Sequence, residues 1–467
     1  MSYSMLIDGC LVQSESCYPV VNPATEELIA QAPDCSKEQL DAAVTAAKAA
    51  QAEWAVDEEK RRAVLVACAD ALRANAESLA AILTAEQGKP LAKAQNEIMG
   101  AAAWLSYSST LESPVDIIKD DDASRVEIHR RPLGVVAGIV PWNYPVMTTM
   151  WKLAPALMAG NTVVLKSSPY TPLATLKVAE LFKDIIPPGV ANFLSGGDDL
   201  GKWMSAHPGV AKVSFTGSTR AGKNVAASAS NDLKRLLLEL GGNDAAIVLP
   251  GVDPKTVAQK LYTAAFENCG QVCVAIKRIY IHKEIYPAVV AELKACVESA
   301  VVGNGTDPEV TVGPLNNAAQ LARVMELADD AKADGGQFIA GGERIGDKGY
   351  FYAPTLVTGL PRHSRLVVEE QFGPIVPLLE FSDIDELIAH LNQSKFGLAG
   401  SVWSPDVAEA TAIAARLETG TVWINQHLAM IPQAPVSGRK WSGVGVENGQ
   451  LGFESYSELQ TLSIAKS

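Results

Sequence analysis

Between Lys37 and about Ser108 the chain repeats apolar residues at helical spacing, as in DAAVTAAKAAQAEW and RRAVLVACADALRANAESLAAIL. Residues spaced this way share one face of a helix, so the pattern predicts a run of amphipathic helices. The pattern changes over Ile117–Pro132, IIKDDDASRVEIHRRP, where apolar and polar positions alternate around an acidic turn. Alternation sends successive side chains to opposite faces, and the segment reads as a hairpin arm. Beyond it, short apolar runs at Gly134–Val140, Thr162–Leu165, Val190–Leu194, Val210–Phe215, Leu236–Leu240 and Ala245–Leu249 take turns with helical stretches such as Met147–Met158 and Leu173–Phe182. Alternation of strand and helix argues for an α/β fold, a parallel sheet covered by helices on both faces. A second series follows, with a helix over Pro254–Phe266, a strand over Arg278–His282, a helix over Ile285–Ser299, and strands through Val357, Val376–Phe381 and Thr421–Ile424. A second α/β domain is therefore expected. No internal repeat or low-complexity linker separates the two.

Composition narrows the function classes. At 467 residues the chain is long enough for two or three cores. It is 48% hydrophobic and 20% charged, which fits a packed globular protein. The formal net charge of −14 argues against nucleic acid or an anionic membrane surface as main partner, since both require a basic footprint. Small anions are not excluded, because backbone N–H groups at a helix start can hold them. Seven scattered cysteines suit a reducing compartment better than a disulfide scaffold. The amino terminus lacks a basic stretch followed by an apolar run, and no apolar run reaches membrane-helix length. A cytoplasmic location is expected.

Four places carry candidate chemistry. In AAFENCGQVCVAIKR, Cys273 is a small buried hydrophobe or a nucleophile, with Gly270 allowing close approach and Asn268 and Gln271 offering amides near the thiol. A metal held through Cys269 and Cys273 finds no further ligand at suitable spacing. In LLLELGGNDAAIV, Glu239 ends an apolar strand. It either turns to solvent or is buried, and burial would raise its pKa into the range of a general base. Asn143 lies between a strand and a helix, where its amide can donate to an oxygen, and Lys166 ends the next strand, a position that suits a ribose hydroxyl or phosphate. In VSFTGSTRAGK, Gly217 and Ser218 turn from a strand into a helix whose free N–H groups can meet a pyrophosphate, although the common G-x-G-x-x-G is absent.

Together these pieces resemble the aldehyde dehydrogenase superfamily, in its non-acylating, NAD(P)-dependent form, from about Val21 to Leu462. The motifs occur in order as PWNYP, VVLKSSP, FTGS, LELGG, GQVC, EEQFGP and the closing SGVGVENGQLGFESYSE. The resemblance implies that Cys273 is the nucleophile and Glu239 the base for the hydrolytic water. Asn143 and the backbone N–H of Cys273 would form an oxyanion hole, and Lys152 with Glu447 would relay the proton. NAD or NADP would be held by Trp142, Lys166, Gly197, Gly201, Phe215, Gly217, Ser218, Leu240, Glu370 and Phe372, with Lys166 and Glu370 as the ribose pair. No metal is implied. The implied fold is a Rossmann-like cofactor domain (1–113 and 133–241), an α/β catalytic domain (242–436), and a β oligomerisation arm (114–132 and 453–467) that builds a homodimer or homotetramer.

The implied reaction oxidises a small-molecule aldehyde to a carboxylic acid through a thiohemiacetal and a thioester that water hydrolyses. A CoA-acylating relative would typically lack Glu239, and a non-catalytic relative would have no reason to keep Cys273, Glu239 and Asn143 together. Three residues depart from the family pattern. Pro169 stands where many NAD-preferring members carry a Glu, which leaves NADP acceptable. Glu267 stands where an aromatic or apolar residue is common, and either favours a cationic or polar aldehyde or points to solvent. Val436 replaces an aromatic and is expected to widen the pocket. The expected substrate tunnel is lined by Tyr144, Thr148, Trp151, Glu267, Val272, Val274, Leu428 and Met430.

Overall fold

The structure, a computed structural model, describes residues 3–466. The larger sheet has eight strands, running edge to edge as Cys10–Val12, Met5–Ile7, Ala191–Leu194, Thr162–Lys166, Val135–Ile139, Lys212–Thr216, Arg235–Glu239 and Gly443–Val444. Its five central strands pair in parallel. Every residue of Val135–Ile139, Thr162–Lys166, Ala191–Leu194 and Lys212–Thr216 is buried, because helices cover both faces. One face packs on the helices Glu58–Ala74, Ala76–Gln87, Leu91–Ser108 and Pro145–Met158, the other on the helix Lys37–Val56 and an apolar layer with Val213, Phe215 and Leu240.

The second sheet has seven strands in the order Gln337–Ala340, Thr355–Thr358, Ile375–Phe381, Ile276–His282, Asp244–Val248, Ala399–Trp403 and Thr421–Ile424. All its pairings are parallel except that of Gln337–Ala340. Apolar clusters fill both of its faces. A three-stranded antiparallel ribbon joins Asp116–Asp120, Ser124–Pro132 and Ser457–Ala465. The hairpin arm expected over Ile117–Pro132 is thus present, with the C-terminal strand as its third member.

Several elements escaped the apolar pattern. The N-terminal strands Met5–Ile7 and Cys10–Val12 are three residues each and stabilise only by joining the edge of a sheet built far downstream. Ala399–Trp403, AGSVW, is fully buried but begins with small residues that carry little periodicity. Gly443–Val444 completes the larger sheet from a segment after the second one. Parallel strands place their carboxyl ends on one side, so Lys166, Thr216 and Glu239 all end strands there, and Trp142 and Asn143 follow the strand Val135–Ile139 that lies between the first two.

Candidate active site

A cavity of about 890 Å³ opens where the carboxyl ends of the larger sheet face the segment around Cys273. Asn143, Glu239 and Cys273 all line it, together with Trp142, Gly217, Ser218, Leu240, Glu370 and Phe372. The structure therefore gathers nine of the expected site residues around one space.

The Cys273 loop is held by its backbone. The helix Pro254–Phe266 ends at Glu267, and Asn268, Cys269 and Gly270 then take left-handed conformations in succession. A Cβ on Gly270 would lie 2.3 Å from the Gly373 carbonyl oxygen, so the glycine serves a close approach of two backbone segments rather than of a ligand. The amides expected near the thiol are likewise spent on the loop. Asn268 Nδ2 donates to the Asn143 carbonyl at 3.1 Å, Gln271 Nε2 donates to Asn268 at 2.9 Å, and Gln271 Oε1 accepts from Asn316 N–H at 2.8 Å. Buried Lys277 donates to the Val272 carbonyl, and His427 Nε2 donates to the Val274 carbonyl at 2.8 Å, clamping both neighbours of Cys273. Among the described residues the Cys273 N–H has no acceptor, which leaves it free for an oxygen on the substrate. The thiol is half-buried, and burial, reinforced by the nearby Glu239 carboxylate, pushes its pKa well up.

Glu239 is buried at the end of its strand and does not turn to solvent. Its Oε1 has no partner among the described residues, and burial together with Glu447 drives its pKa well above the usual carboxylate range, with Lys152 acting in the opposite sense. A carboxyl left unpaired inside a protein calls for an explanation, and a base that must exchange protons supplies one. Lys152 and Glu447, both sealed from solvent, meet at 3.0 Å, and Glu447 Oε2 is likewise unpartnered. Asn143 Nδ2 donates to the Gln271 carbonyl at 2.9 Å, so one of the two amide hydrogens remains free.

The remaining residues trace a groove for an anionic ligand. Ser218 caps the helix Thr219–Ala229 through its side chain, and Thr216 Oγ1 is buried without a partner at the cavity wall. Leu240 packs so tightly on Gly222 that a Cβ there would lie 2.4 Å from it, and Phe215 does the same to Gly217. Glu370 accepts from Gly242 N–H at 3.0 Å and leaves no room for a Cβ on Gly241. Phe372 meets Trp142 edge to face at 5.4 Å. Lys166, Gly197 and Gly201 do not line the cavity that holds Glu370, so the expected ribose pair is divided between two places. The Lys166 stem runs past Gly201 on the helix Asp198–Ala206, whose N-cap is Gly197 with open space where a Cβ would stand. Lys166 Nζ is buried and, among the described residues, donates only to the Ser167 carbonyl at 3.1 Å, and burial lowers its pKa to about 8. A buried cation with unused donors, beside the start of one helix and with the capped start of another lining the cavity, fits a diphosphate dinucleotide.

On the other side of Cys273, all eight residues expected for the tunnel line the cavity. Glu267 does not simply point to solvent. It pairs with Lys93 at 2.6 Å and accepts from Tyr144 Oη at 3.3 Å, so its charge is already matched. Val436 is buried, forms a backbone bridge with Glu447 and does not line the cavity, so it does not widen it. Sequence reasoning missed Trp104, Met147 and His427 in the wall. Trp104 and Trp151 lie 5.6 Å apart, and only the helical spacing around Trp104 could have hinted that it faces inward.

Comparison with known proteins agrees with this geometry. The sequence pattern of the aldehyde dehydrogenase family matches residues 11–462. A phenylacetaldehyde dehydrogenase from Pseudomonas fluorescens is 38% identical, over 100% of this chain and 96% of the relative. An aldehyde dehydrogenase from Bacillus cereus solved with NAD+ has 32% identity and a TM-score of 0.98, covering 100% of this chain and 97% of that one. An NADP-dependent enzyme from E. coli has 32% identity and a TM-score of 0.97, covering 99% and 98%. The chain belongs to the aldehyde dehydrogenase family. It is an NAD(P)-dependent enzyme that oxidises an aldehyde to a carboxylic acid through a cysteine thiohemiacetal and a thioester hydrolysed by water. No helix among the described residues is long and apolar enough to cross a membrane.

Proposed function

We propose that Cys273 is the nucleophile of this reaction, Glu239 the base for the hydrolytic water, and Asn143 with the Cys273 N–H the oxyanion donors. The supporting observation is that these groups line one cavity and each retains unused capacity: a free N–H on Cys273, a free amide hydrogen on Asn143, and an unpartnered Oε1 on Glu239. Cys273 Sγ bonds to the aldehyde carbon as the thiol gives its proton to solvent, and the two donors meet the carbonyl oxygen as the C=O π bond opens and the oxygen gains charge. Bound NAD or NADP supplies the hydride acceptor at this point. Glu239 then takes a proton from water as the oxygen adds to the thioester carbon, and the C–S bond breaks to release the acid. Lys152 and Glu447 carry that proton away from Glu239.

Lys166, with Gly197 and Gly201, serves the adenosine end of the cofactor, Gly217 and Ser218 the diphosphate, and Glu370 with Phe372 and Trp142 the nicotinamide end. Pro169 provides no carboxylate to repel a 2′-phosphate, so both cofactors are accepted. Residues 1–113 and 133–241 form the cofactor domain and 242–436 the catalytic domain. The arm of 114–132 and 453–467, with Ile117, Ile118, Leu459 and Ile464 exposed, joins subunits into a homodimer or homotetramer.

The substrate is a neutral aldehyde with an apolar or aromatic body. Trp104, Tyr144, Met147, Trp151, Leu428 and Met430 line the tunnel side of the cavity, and the Glu267 carboxylate beside them is already paired with Lys93. The similarity to a phenylacetaldehyde dehydrogenase supports the same class. Steady-state kinetics with an arylacetaldehyde, a linear aliphatic aldehyde and a cationic amino aldehyde, each with NAD and NADP, test this. The arylacetaldehyde is expected to give the highest kcat/KM. Preference for the cationic aldehyde would overturn the reading.

A further inference from the structure

A second buried ion pair lies outside the reaction steps just described. Lys89 and Glu97 are paired with both side chains fully sealed from solvent. Lys89 Nζ also donates to the backbone carbonyl of Asn143 at 2.8 Å and stands over the Tyr144 ring, 3.6 Å from its centroid. The other carboxylate oxygen of Glu97 accepts from the N–H groups of Val146 and Met147, at 2.9 and 3.2 Å, in the first turn of the helix Pro145–Met158. These are donors that a helix start leaves without intrahelical partners, and a carboxylate is favoured there. The pair therefore grips the chain on both sides of Tyr144.

The Asn143 carbonyl accepts a second hydrogen bond, from Asn268 Nδ2 at 3.1 Å. Two donors on one carbonyl fix the plane of the peptide that follows Asn143, and with it the direction in which the Asn143 side chain leaves the backbone. The lysine backbone is itself confined. A Cβ on Gly305 would lie 2.5 Å from the Lys89 carbonyl oxygen, and Leu91 N–H donates to Gly305 at 2.9 Å. Lys89 does not line the cavity, so it can reach neither substrate nor cofactor and acts only through what it holds.

We propose that Lys89, its charge balanced by Glu97, is a positioning residue that aims the Asn143 amide at the developing oxyanion. The proposal rests on the reading of Asn143 as an oxyanion donor. A pair that merely supported the fold could be replaced by neutral groups of similar shape at little cost to turnover, because a buried ion pair is often no more stable than such a replacement. A positioning pair could not, since small misplacement of a catalytic group costs up to roughly a hundredfold in rate.

The test is a mutant cycle on the full-length enzyme. Lys89→Met combined with Glu97→Gln keeps the acceptor for the two helix N–H groups while removing both charges. In the wild-type background this change is expected to lower kcat for aldehyde oxidation and for ester hydrolysis by roughly 10- to 100-fold, with KM and the Kd for NAD little changed. In an Asn143→Ala background the same change is expected to cost less than about threefold, because the group it aims is gone. Equal losses in both backgrounds, or no loss of kcat in the first, would overturn the proposal. If Asn143→Ala alone left kcat unchanged, the oxyanion reading would fall instead, and the two failures are distinct. Should the paired variant not fold, Asn268→Ala, which removes the other donor to the same carbonyl, is read in the same cycle with the same expectation and the same overturning result.

Discussion

Lys152 with Glu447 and Lys89 with Glu97 are two lysine–glutamate pairs sealed from solvent, and both bear on the helix Pro145–Met158. They differ in what their polar atoms have left to do. Both oxygens of Glu97 are occupied, one by Lys89 and one by two backbone N–H groups, and Lys89 has a second acceptor in the Asn143 carbonyl. Glu447 keeps one oxygen unpartnered and lies close enough to Glu239 to raise its pKa, while Glu239 also has a free oxygen. A saturated pair can hold geometry but has nowhere to pass a proton. An unsaturated pair beside an unsaturated carboxyl can take one up. On the proposed roles, spare hydrogen-bonding capacity, more than burial or charge, separates groups that hold from groups that react.

The largest expected effect lies at Cys273, the nucleophile that Asn143 and Glu239 both act around. Cys273→Ala should abolish dehydrogenase and esterase turnover, to below about a hundredth of wild type, while the Kd for NAD stays within a few-fold. Measurement of both activities on one preparation checks this. Asn143→Ala should lower kcat by roughly 10²–10³ with a smaller change in KM, since the donor is needed mainly as charge develops. An effect confined to KM would make Asn143 a wall of the pocket only.

The two pairs should then part company in their pH behaviour. Glu239 has its pKa raised by burial, so the hydrolytic step should speed up as pH rises and more of the carboxylate forms. Lys152 opposes that rise. Lys152→Met should therefore push the pKa of Glu239 still higher, move the rising limb of the pH–rate profile to higher pH, and lower kcat near neutrality by roughly 10-fold or more. The Lys89→Met, Glu97→Gln variant should lower kcat without moving that limb. A shift of the limb in both variants would erase the distinction between them.

The smallest effect concerns the far end of the groove. Lys166, with its pKa lowered to about 8, carries its charge below that pH and loses it above. If it balances the 2′-phosphate, the affinity for NADP relative to NAD should fall as pH rises through about 8, as read by titrating both cofactors. Pro169→Glu should shift the preference toward NAD by about tenfold, or 1.4 kcal/mol. Strict NAD selectivity in the wild type would mean that some other group excludes the phosphate.

Much of this centre was legible in the sequence because strand ends and turns announce themselves locally. LELGG puts a carboxyl at the end of an apolar run, and FTGS marks a strand turning into a helix. The eight residues expected for the tunnel all line the cavity for the same reason, being close in sequence to motifs that could be placed. What escaped depends on distant parts of the chain meeting. Lys89 lies 54 residues from Asn143, and His427 lies 153 residues from Val274, so no local pattern couples them. His427 illustrates the consequence. Its Nε2 must carry the proton because the Val274 carbonyl can only accept, and burial lowers its pKa to about 3, which leaves it neutral with an unpartnered Nδ1. Val436 failed in the opposite way, since a place in a familiar motif suggested the pocket while its backbone was committed to Glu447.

The central claim is that the substrate carbon bonds to Cys273 and is released by water that Glu239 activates. Glu239→Gln keeps the shape of the side chain and removes the base. Mixed with an arylacetaldehyde and NAD, this variant should form reduced cofactor in a burst of one equivalent per active site and then nearly stop. Intact-mass and peptide analysis of the acid-quenched enzyme should then find the acyl group on Cys273. Continued turnover at the wild-type rate, or an acyl group carried by any residue other than Cys273, would contradict the account.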